Sequence, residues 1–217
     1  MTAAQVPEPT DPALADAGVH HLDIGDAGEA LLYVPEGLDN RPAPLFVALA
    51  GAGGDATGTI TDLRADADAR SHLLLAPSPH EHTWDIIHGG WGPDVELLDT
   101  AVAEVLATMP IDRESVTVAG FSDGATYALA LGLANGDLFT GIAAAAPGPL
   151  LEVPALGEPR VFIAHGRRDD VEPVDSSREN AETLRDKGYE VEYLEFDGGH
   201  EVPPIVFERL EQWHDQA

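Results

Sequence analysis

Apolar residues in this chain follow two patterns: short continuous runs, and longer segments in which they recur every three or four positions. Residues 44–50 are a continuous apolar run of strand length, typical of a strand that is covered on both faces. Residues 71–77 and the β-branched residues of 114–120 also predict buried strands. Residues 93–109 follow helical spacing, with a proline in the first turn and another just beyond the end. Strands alternating with helices predict right-handed crossovers and a mostly parallel, doubly wound sheet with helices on both faces.

The same pattern continues towards both ends of the chain. Residues 19–24 and 30–34 predict two short strands joined by a glycine-containing turn, a hairpin that opens the sheet. Further strands are predicted at 141–146, 159–166 and 191–196, the last an alternating edge strand, and further helices at 125–134, 176–187 and 204–215.

Length and composition limit the domain organisation. The 217 residues suit one α/β domain. The first 17 residues are rich in proline and acid and predict a mobile N-terminal arm, which leaves residues 18–217 as the single domain. The chain has no cysteine, no leader-like start and no apolar run of transmembrane length. A cytoplasmic protein is therefore expected, although a secreted form that had lost its leader would look the same.

The charge balance excludes two classes of partner. The chain carries 39 Asp and Glu residues against 11 Lys and Arg, a formal net charge of -28, and Lys187 is its only lysine. Such a surface favours neither nucleic acid nor an anionic membrane. A GC-rich genome and adaptation to high salt both explain it. We favour salt adaptation, because a Debye length of about 3 Å at 1 M salt screens the self-repulsion that a length of about 30 Å at 0.01 M leaves intact.

A serine between two glycines links a buried strand to a helix. Residues 120–124 (GFSDG) follow the strand at 114–120 and precede the helix at 125–134. This context predicts a nucleophile elbow, in which the glycines permit a tight bend and the Ser122 hydroxyl stands at the helix N-terminus. The alternative is a serine that is only a turn residue.

A glycine loop, residues 51–55 (GAGGD), follows the buried strand at 44–50. It lacks the Lys-Ser/Thr of a phosphate-binding loop and the spacing of a dinucleotide fingerprint. With Ser122 in the same chain, its backbone N–H groups are expected to face the oxygen that becomes negative in acyl transfer.

Candidate acids and a candidate base follow later strands. Residues 167–173 follow the strand at 159–166, and His200 follows the last strand, so both fall on the same sheet rim as Ser122. A neutral imidazole can take the serine proton, and a carboxylate can orient that imidazole. Asp169 and Asp170 both suit the acid role, and the residues alone leave the choice open. His165 is expected to brace its own loop, and the alternative role for His200 is to cap the final helix.

The loop at residues 78–92 is longer than a connection requires. Trp84 and Trp91 lie within it and are expected to form a wall of the substrate pocket, with simple loop packing as the alternative. Phe121, next to the candidate nucleophile, is placed in the same substrate-binding group.

No metal site is predicted. His80, His82 and His88 lack a fourth ligand and helical spacing. The acidic residues in 62–68 do not match a calcium loop, and a solvated helix face explains them better.

Four segments carry a family resemblance: residues 50–55 (AGAGGD), 120–124 (GFSDG), 165–173 (HGRRDDVEP) and 198–201 (GGHE). They resemble the phospholipase/carboxylesterase group of small α/β-hydrolases, over the chain from about residue 45 to its end.

The resemblance implies an α/β-hydrolase fold and a triad in the chain order Ser, Asp, His. It places the acid on Asp169, and it implies the N–H groups of Ala52 and Asp123 as the oxyanion hole. One departure is that the group usually has His-Gly before the oxyanion loop, whereas Ala50 and Gly51 stand here.

The expected function is a serine carboxylesterase that works through an acyl-enzyme and needs no metal or organic cofactor. Residues 146–159 are too few for a helical lid, which suits small or short-chain esters, and the loop tryptophans extend this to aromatic esters. A thioesterase or peptidase using the same triad, and a non-catalytic binding protein of the same fold, are the alternatives. The natural ester and the oligomeric state are left open.

Overall fold

The computed structural model describes residues 15–38 and 41–214. Of the arm expected over the first 17 residues, positions 1–14 lie outside the described residues. None of the described helices combines the length and the apolar character that crossing a membrane requires.

The described residues form one eight-stranded sheet in the order β1-β2-β4-β3-β5-β6-β7-β8. β2 is antiparallel to both of its neighbours, and the other neighbouring pairs are parallel. The strands are β1 (Gly18–His21), β2 (Glu29–Val34), β3 (Ala43–Leu49), β4 (Leu73–Ser78), β5 (Ile111–Phe121), β6 (Gly141–Ala145), β7 (Arg160–Gly166) and β8 (Val191–Phe196).

Helices cover both faces of this sheet. They are α1 (Ala56–Arg70), α2 (Pro93–Thr108), α3 (Asp123–Ala134), α4 (Val174–Asp186) and α5 (Pro204–His214). Alternate residues of β3 point to opposite sides: Leu45 and Val47 join one apolar core with α2, α3 and α4, whereas Phe46 and Ala48 join a second core with α1 and α5.

The predicted elements are all present, with some ends displaced. The first strand stops at His21, because residues 25–27 form a short 3-10 turn before β2. β5 begins at Ile111, three residues earlier than expected, because Ile111 pairs with Ala43 ahead of an irregularity in the β3–β5 register. The predicted edge strand, β8, does lie at the sheet edge. The mostly parallel sheet brings the carboxyl ends of β3, β5, β7 and β8 to one rim, where the candidate site lies.

Candidate active site

Ser122 lies between the end of β5 and the start of α3 in a conformation that side chains rarely adopt. Its φ is 56° and its ψ is -122°. The residue is 9% exposed, and its N–H is held 2.9 Å from the carbonyl oxygen of Ala145. A non-glycine residue at such angles costs on the order of 1–3 kcal/mol, so the surrounding packing must hold the turn in place.

The two glycines of the turn are required for close packing. A Cβ at Gly120 would overlap the backbone of Gly124, and a Cβ at Gly124 would overlap the carbonyl groups of Leu49 and Ala50. Neither glycine has a positive φ. From the sequence we expected these glycines to supply conformational freedom for a tight bend, whereas the positive φ falls on Ser122 and the glycines permit close approach.

Ser122, His200 and Asp169 form a continuous hydrogen-bonded chain. The His200 Nε2 atom lies 3.0 Å from Ser122 Oγ, and its Nδ1 atom lies 2.7 Å from Asp169 Oδ2. Asp170, the other acid considered, is exposed and is not part of this chain. The structure thus brings together the serine, the histidine and one particular aspartate from three separate loops.

The Asp169 carboxylate is held by its own loop. Its Oδ1 atom accepts hydrogen bonds from the N–H groups of Val171 and Glu172, each at 2.9 Å, and its side chain is 0% exposed. Burial raises the pKa of Asp169, but the hydrogen bonds from His200, Glu172 and Val171 together outweigh it, so the net pKa is lowered. The carboxylate therefore stays ionised and can orient His200.

His165 fixes the same loop from the side of the core. Its Nε2 atom lies 2.9 Å from the carbonyl oxygen of Glu172 and 3.1 Å from Asp169 Oδ2, and its Nδ1 atom lies 2.7 Å from Ser177 Oγ. It is fully buried. This is the bracing role expected from the sequence.

Two backbone donors of the glycine loop after β3 are used within the protein. The N–H of Gly53 donates to the carbonyl of His82 at 2.7 Å, and that of Gly54 donates to Gly51 at 3.0 Å. Within residues 15–38 and 41–214, the N–H groups of Ala52 and Asp123 have no protein acceptor. Backbone donors are normally paired, so these two N–H groups, which flank the Ser122 turn in the fold, are suited to bind an anionic oxygen.

Trp84 supports this loop and does not line a pocket. It is 0% exposed, and its indole Nε1 donates to the carbonyl of Ala50 at 2.8 Å. Trp84 therefore has no surface free to contact a substrate. Trp91 is 44% exposed, with its ring 5.8 Å from that of Tyr127. Of the three aromatic residues expected to bind substrate, Phe121 alone lines the cavity beside His200.

Two aspartates organise the 78–92 loop, although neither was singled out from the sequence. Asp94 Oδ1 lies 2.7 Å from His80 Nδ1, and Asp94 Oδ2 accepts from the N–H of Asp85. Asp85 Oδ2 in turn accepts from the N–H groups of Gly92 and Asp94. The described residues contain no cluster of three His, Asp or Glu side chains arranged to hold a metal ion.

A further contact that the sequence did not predict holds Asp123, the residue after Ser122. The Thr83 hydroxyl donates to Asp123 Oδ2 at 2.6 Å. Glu172 lies nearby, and its pKa is raised by burial and by the neighbouring Asp123 carboxylate. Neither contact has a signal in the local sequence, because each joins residues far apart in the chain.

The order of the eight strands, with helices on both faces of the sheet, is that of the α/β-hydrolase fold, and the chain has this fold. No family model matches the chain. A relative named "Putative esterase NocK", from Nocardia uniformis subsp. tsuyamanensis, is 28% identical over 178 residues, which cover 75% of this chain and 52% of the relative. The chain thus spans about half the length of the curated relative it matches.

Solved structures are similar over most of the chain. A Bacillus cereus carboxylesterase is 19% identical with a TM-score of 0.67, covering 86% of this chain and 93% of its own. A ferulic acid esterase from Anaeromyces mucronatus is 16% identical with a TM-score of 0.64, covering 97% of this chain and 94% of its own. These names are consistent with the resemblance to the phospholipase/carboxylesterase group.

Proposed function

We propose that this protein is a serine carboxylesterase that hydrolyses small-molecule carboxylic esters through an acyl-enzyme. The observation that carries the proposal is the chain of contacts from Ser122 Oγ to His200 to Asp169, at 3.0 Å and 2.7 Å. These distances lie within the range expected of a nucleophile, its base and an orienting acid.

The reaction takes two acyl-transfer steps. His200 Nε2 accepts the proton of Ser122, and Oγ attacks the ester carbonyl carbon. The N–H groups of Ala52 and Asp123 stabilise the oxyanion, and His200 then donates its proton to the departing alcohol oxygen. Water, deprotonated by His200, attacks the acyl-enzyme, releases the carboxylic acid and restores the Ser122 hydroxyl.

The open rim supports esters that approach directly from solvent. Residues 146–159, between β6 and β7, contain no helix that could form a lid. This favours small, water-accessible esters over large aggregated lipids. Aromatic esters belong to the same proposal, supported by the fold shared with a ferulic acid esterase and by the Phe121 ring beside His200.

Hydrolysis of p-nitrophenyl acetate by wild type and Ser122→Ala tests the proposal. Loss of a triad serine typically lowers turnover by about 10⁴- to 10⁶-fold. Ser176→Ala is the matched control, because Ser176 lies at the start of α4, away from the chain of contacts. A fluorophosphonate should transfer its phosphonyl group to the Ser122 oxygen with loss of hydrogen fluoride, and the corresponding mass increase should appear in the wild type alone. Retained activity or retained labelling in Ser122→Ala would refute the mechanism.

A further inference from the structure

The sheet face that α1 and α5 cover has a groove for which the proposed catalytic residues alone give no role. Its volume is about 550 Å³, which is within the range of about 300–1,000 Å³ that ligand pockets occupy. It runs from the catalytic rim down the sheet surface between the two helices. We call it the α1/α5 groove, lined among others by Ala48, Thr59, Ala119, Ala143 and His200.

The positions of the helices leave the middle of this face uncovered. α1 packs on β2 and β4, and α5 packs on β7 and β8. The central strands β3, β5 and β6 lie between them. On these strands Ala48 pairs with Ala119, and Ala119 pairs with Ala143, so that three alanines form one row across the sheet. Because alanine side chains are short, the row leaves space above it that leucine or phenylalanine would fill.

The open end of the groove lies at the proposed catalytic centre. The Phe121 ring packs against the His200 ring with centroids 4.7 Å apart. A Cβ added at Gly51 would lie 3.3 Å from the Phe121 ring and 3.4 Å from the Cβ of Ser122, so Gly51, Phe121 and Ser122 are close neighbours here. A chain entering the groove would therefore pass beside the imidazole that handles the leaving group.

The rings of Phe46 and His72 line the far end of the groove, and this histidine is uncharged near neutral pH. Phe46 stacks on His72 with ring centroids 4.4 Å apart, and Arg70 donates to the carbonyl of Phe207 at 2.6 Å, joining α1 to α5. Burial lowers the pKa of His72 to about 3, so its ring is neutral. Phe46 is four residue steps along the chain from Ala50, a distance of roughly 13 Å at the usual rise of a strand.

We propose that the α1/α5 groove binds a linear aliphatic chain of the substrate ester. The alanine floor offers no polar partner, and Asp62 and Asp66 on the α1 rim disfavour an anionic occupant. With C–C bonds of about 1.5 Å, the groove is long enough for about eight to ten carbons. This inference rests on the proposed esterase function, and it extends the substrates from short to medium-chain esters.

A series of esters of increasing chain length, assayed on the wild type, Thr59→Phe and Thr61→Phe, tests the groove. p-Nitrophenyl acetate, butyrate, octanoate and hexadecanoate vary the acyl side, and methyl to decyl acetates vary the alcohol side. Burial of each methylene is worth up to about fourfold in kcat/KM, so the rate should rise with length to about eight carbons and fall beyond the length of the groove. The series in which kcat/KM rises with chain length, acyl or alcohol, identifies which side of the ester occupies the groove.

Two matched threonines on α1 separate the groove from a general effect on the helix. Thr59 and Thr61 each donate a hydroxyl hydrogen bond to the carbonyl four residues earlier, at 2.9 Å and 2.8 Å. Thr59 lines the groove, whereas Thr61 is exposed to solvent and does not. Thr59→Phe should remove most of the gain of octanoate over acetate, whereas Thr61→Phe should keep the wild-type ratio.

A binding measurement keeps this inference separate from the proposed function. Calorimetry should detect 2-decanone binding to Ser122→Ala and to its Thr61→Phe double variant, but not to its Thr59→Phe double variant. Equal binding to all three, or an unchanged octanoate-to-acetate ratio in Thr59→Phe, would overturn the groove proposal while leaving the esterase intact. Absence of ester hydrolysis by the wild type, with 2-decanone binding still lost in Thr59→Phe, would instead overturn the proposed function and retain the groove.

Discussion

Replacing Asp169 with Asn tests how the proposed base is oriented. Asp169 Oδ1 accepts two backbone N–H groups, and Oδ2 lies 2.7 Å from His200 Nδ1. In Asp169→Asn the amide oxygen is needed by the two backbone donors, so the NH₂ group faces His200. Two donors cannot pair, and the imidazole must then carry its proton on Nε2, pointing towards Ser122. His200 can no longer accept the serine proton.

The expected loss is large because the variant disables the base without removing it. An equivalent change of tautomer in a serine hydrolase lowers kcat by about 10⁴-fold, or about 5.4 kcal/mol of transition-state stabilisation at 1.36 kcal/mol per tenfold. Asp170→Asn provides a matched control on the adjacent, exposed residue. It should remain within about twofold of the wild type.

The assay is kcat/KM for p-nitrophenyl butyrate between pH 6 and 9, with a thermal melt of each variant. The net pKa of Asp169 is lowered, so its carboxylate is ionised throughout this range and should contribute no titration to the profile. The reasoning would be refuted by folded Asp169→Asn protein within tenfold of wild type, or by an equal loss in Asp170→Asn.

Three further predictions concern the loop support, a buried histidine and the surface charge. Trp84→Phe removes the hydrogen bond to Ala50 and should lower kcat roughly tenfold with little change in KM, because one such hydrogen bond is worth about 1–1.5 kcal/mol. Trp91→Phe should change neither kcat nor KM. Equal effects of the two variants would contradict the role of Trp84 in supporting the glycine loop. His72 has a folded-state pKa of about 3 against an ordinary value of 6.5, so the unfolded chain binds more protons between these values. The free energy of unfolding should therefore fall as pH drops from 6.5 towards 3, by up to about 1.4 kcal/mol per pH unit. Urea titrations at a series of pH values should show a smaller fall of this free energy per pH unit for His72→Gln than for the wild type. With a net charge of -28, the melting temperature should rise between 0.01 M and 1 M salt, and a constant value would count against salt adaptation.

Trp84 and Phe121 show why a pocket is hard to predict from sequence. Both are aromatic residues in or beside loops at the rim of the sheet where Ser122 and His200 lie. Phe121 ends β5 on the α1/α5 side, where the groove opens, whereas Trp84 is turned into the core and bonded to Ala50. Which side an aromatic ring of a loop faces depends on packing partners from distant segments, and no local pattern records it.

Local signals were sufficient to predict the elements, their alternation and the elbow that carries Ser122. These signals are the spacing of apolar residues, the prolines at helix ends, and the two glycines, which the close approach of neighbouring backbones requires. They also placed His200 after the last strand, on the rim that a parallel sheet shares.

The choice between Asp169 and Asp170, and the α1/α5 groove, depend instead on contacts between distant segments. The two aspartates have the same local chemistry, and His200, from the loop after β8, meets the carboxylate of Asp169 whereas Asp170 is exposed. The groove arises because strand register aligns Ala48, Ala119 and Ala143, which are far apart in the chain. Both features rest on contacts between residues far apart in the chain. The family resemblance had pointed to Asp169, whereas no pattern in the sequence indicated the groove.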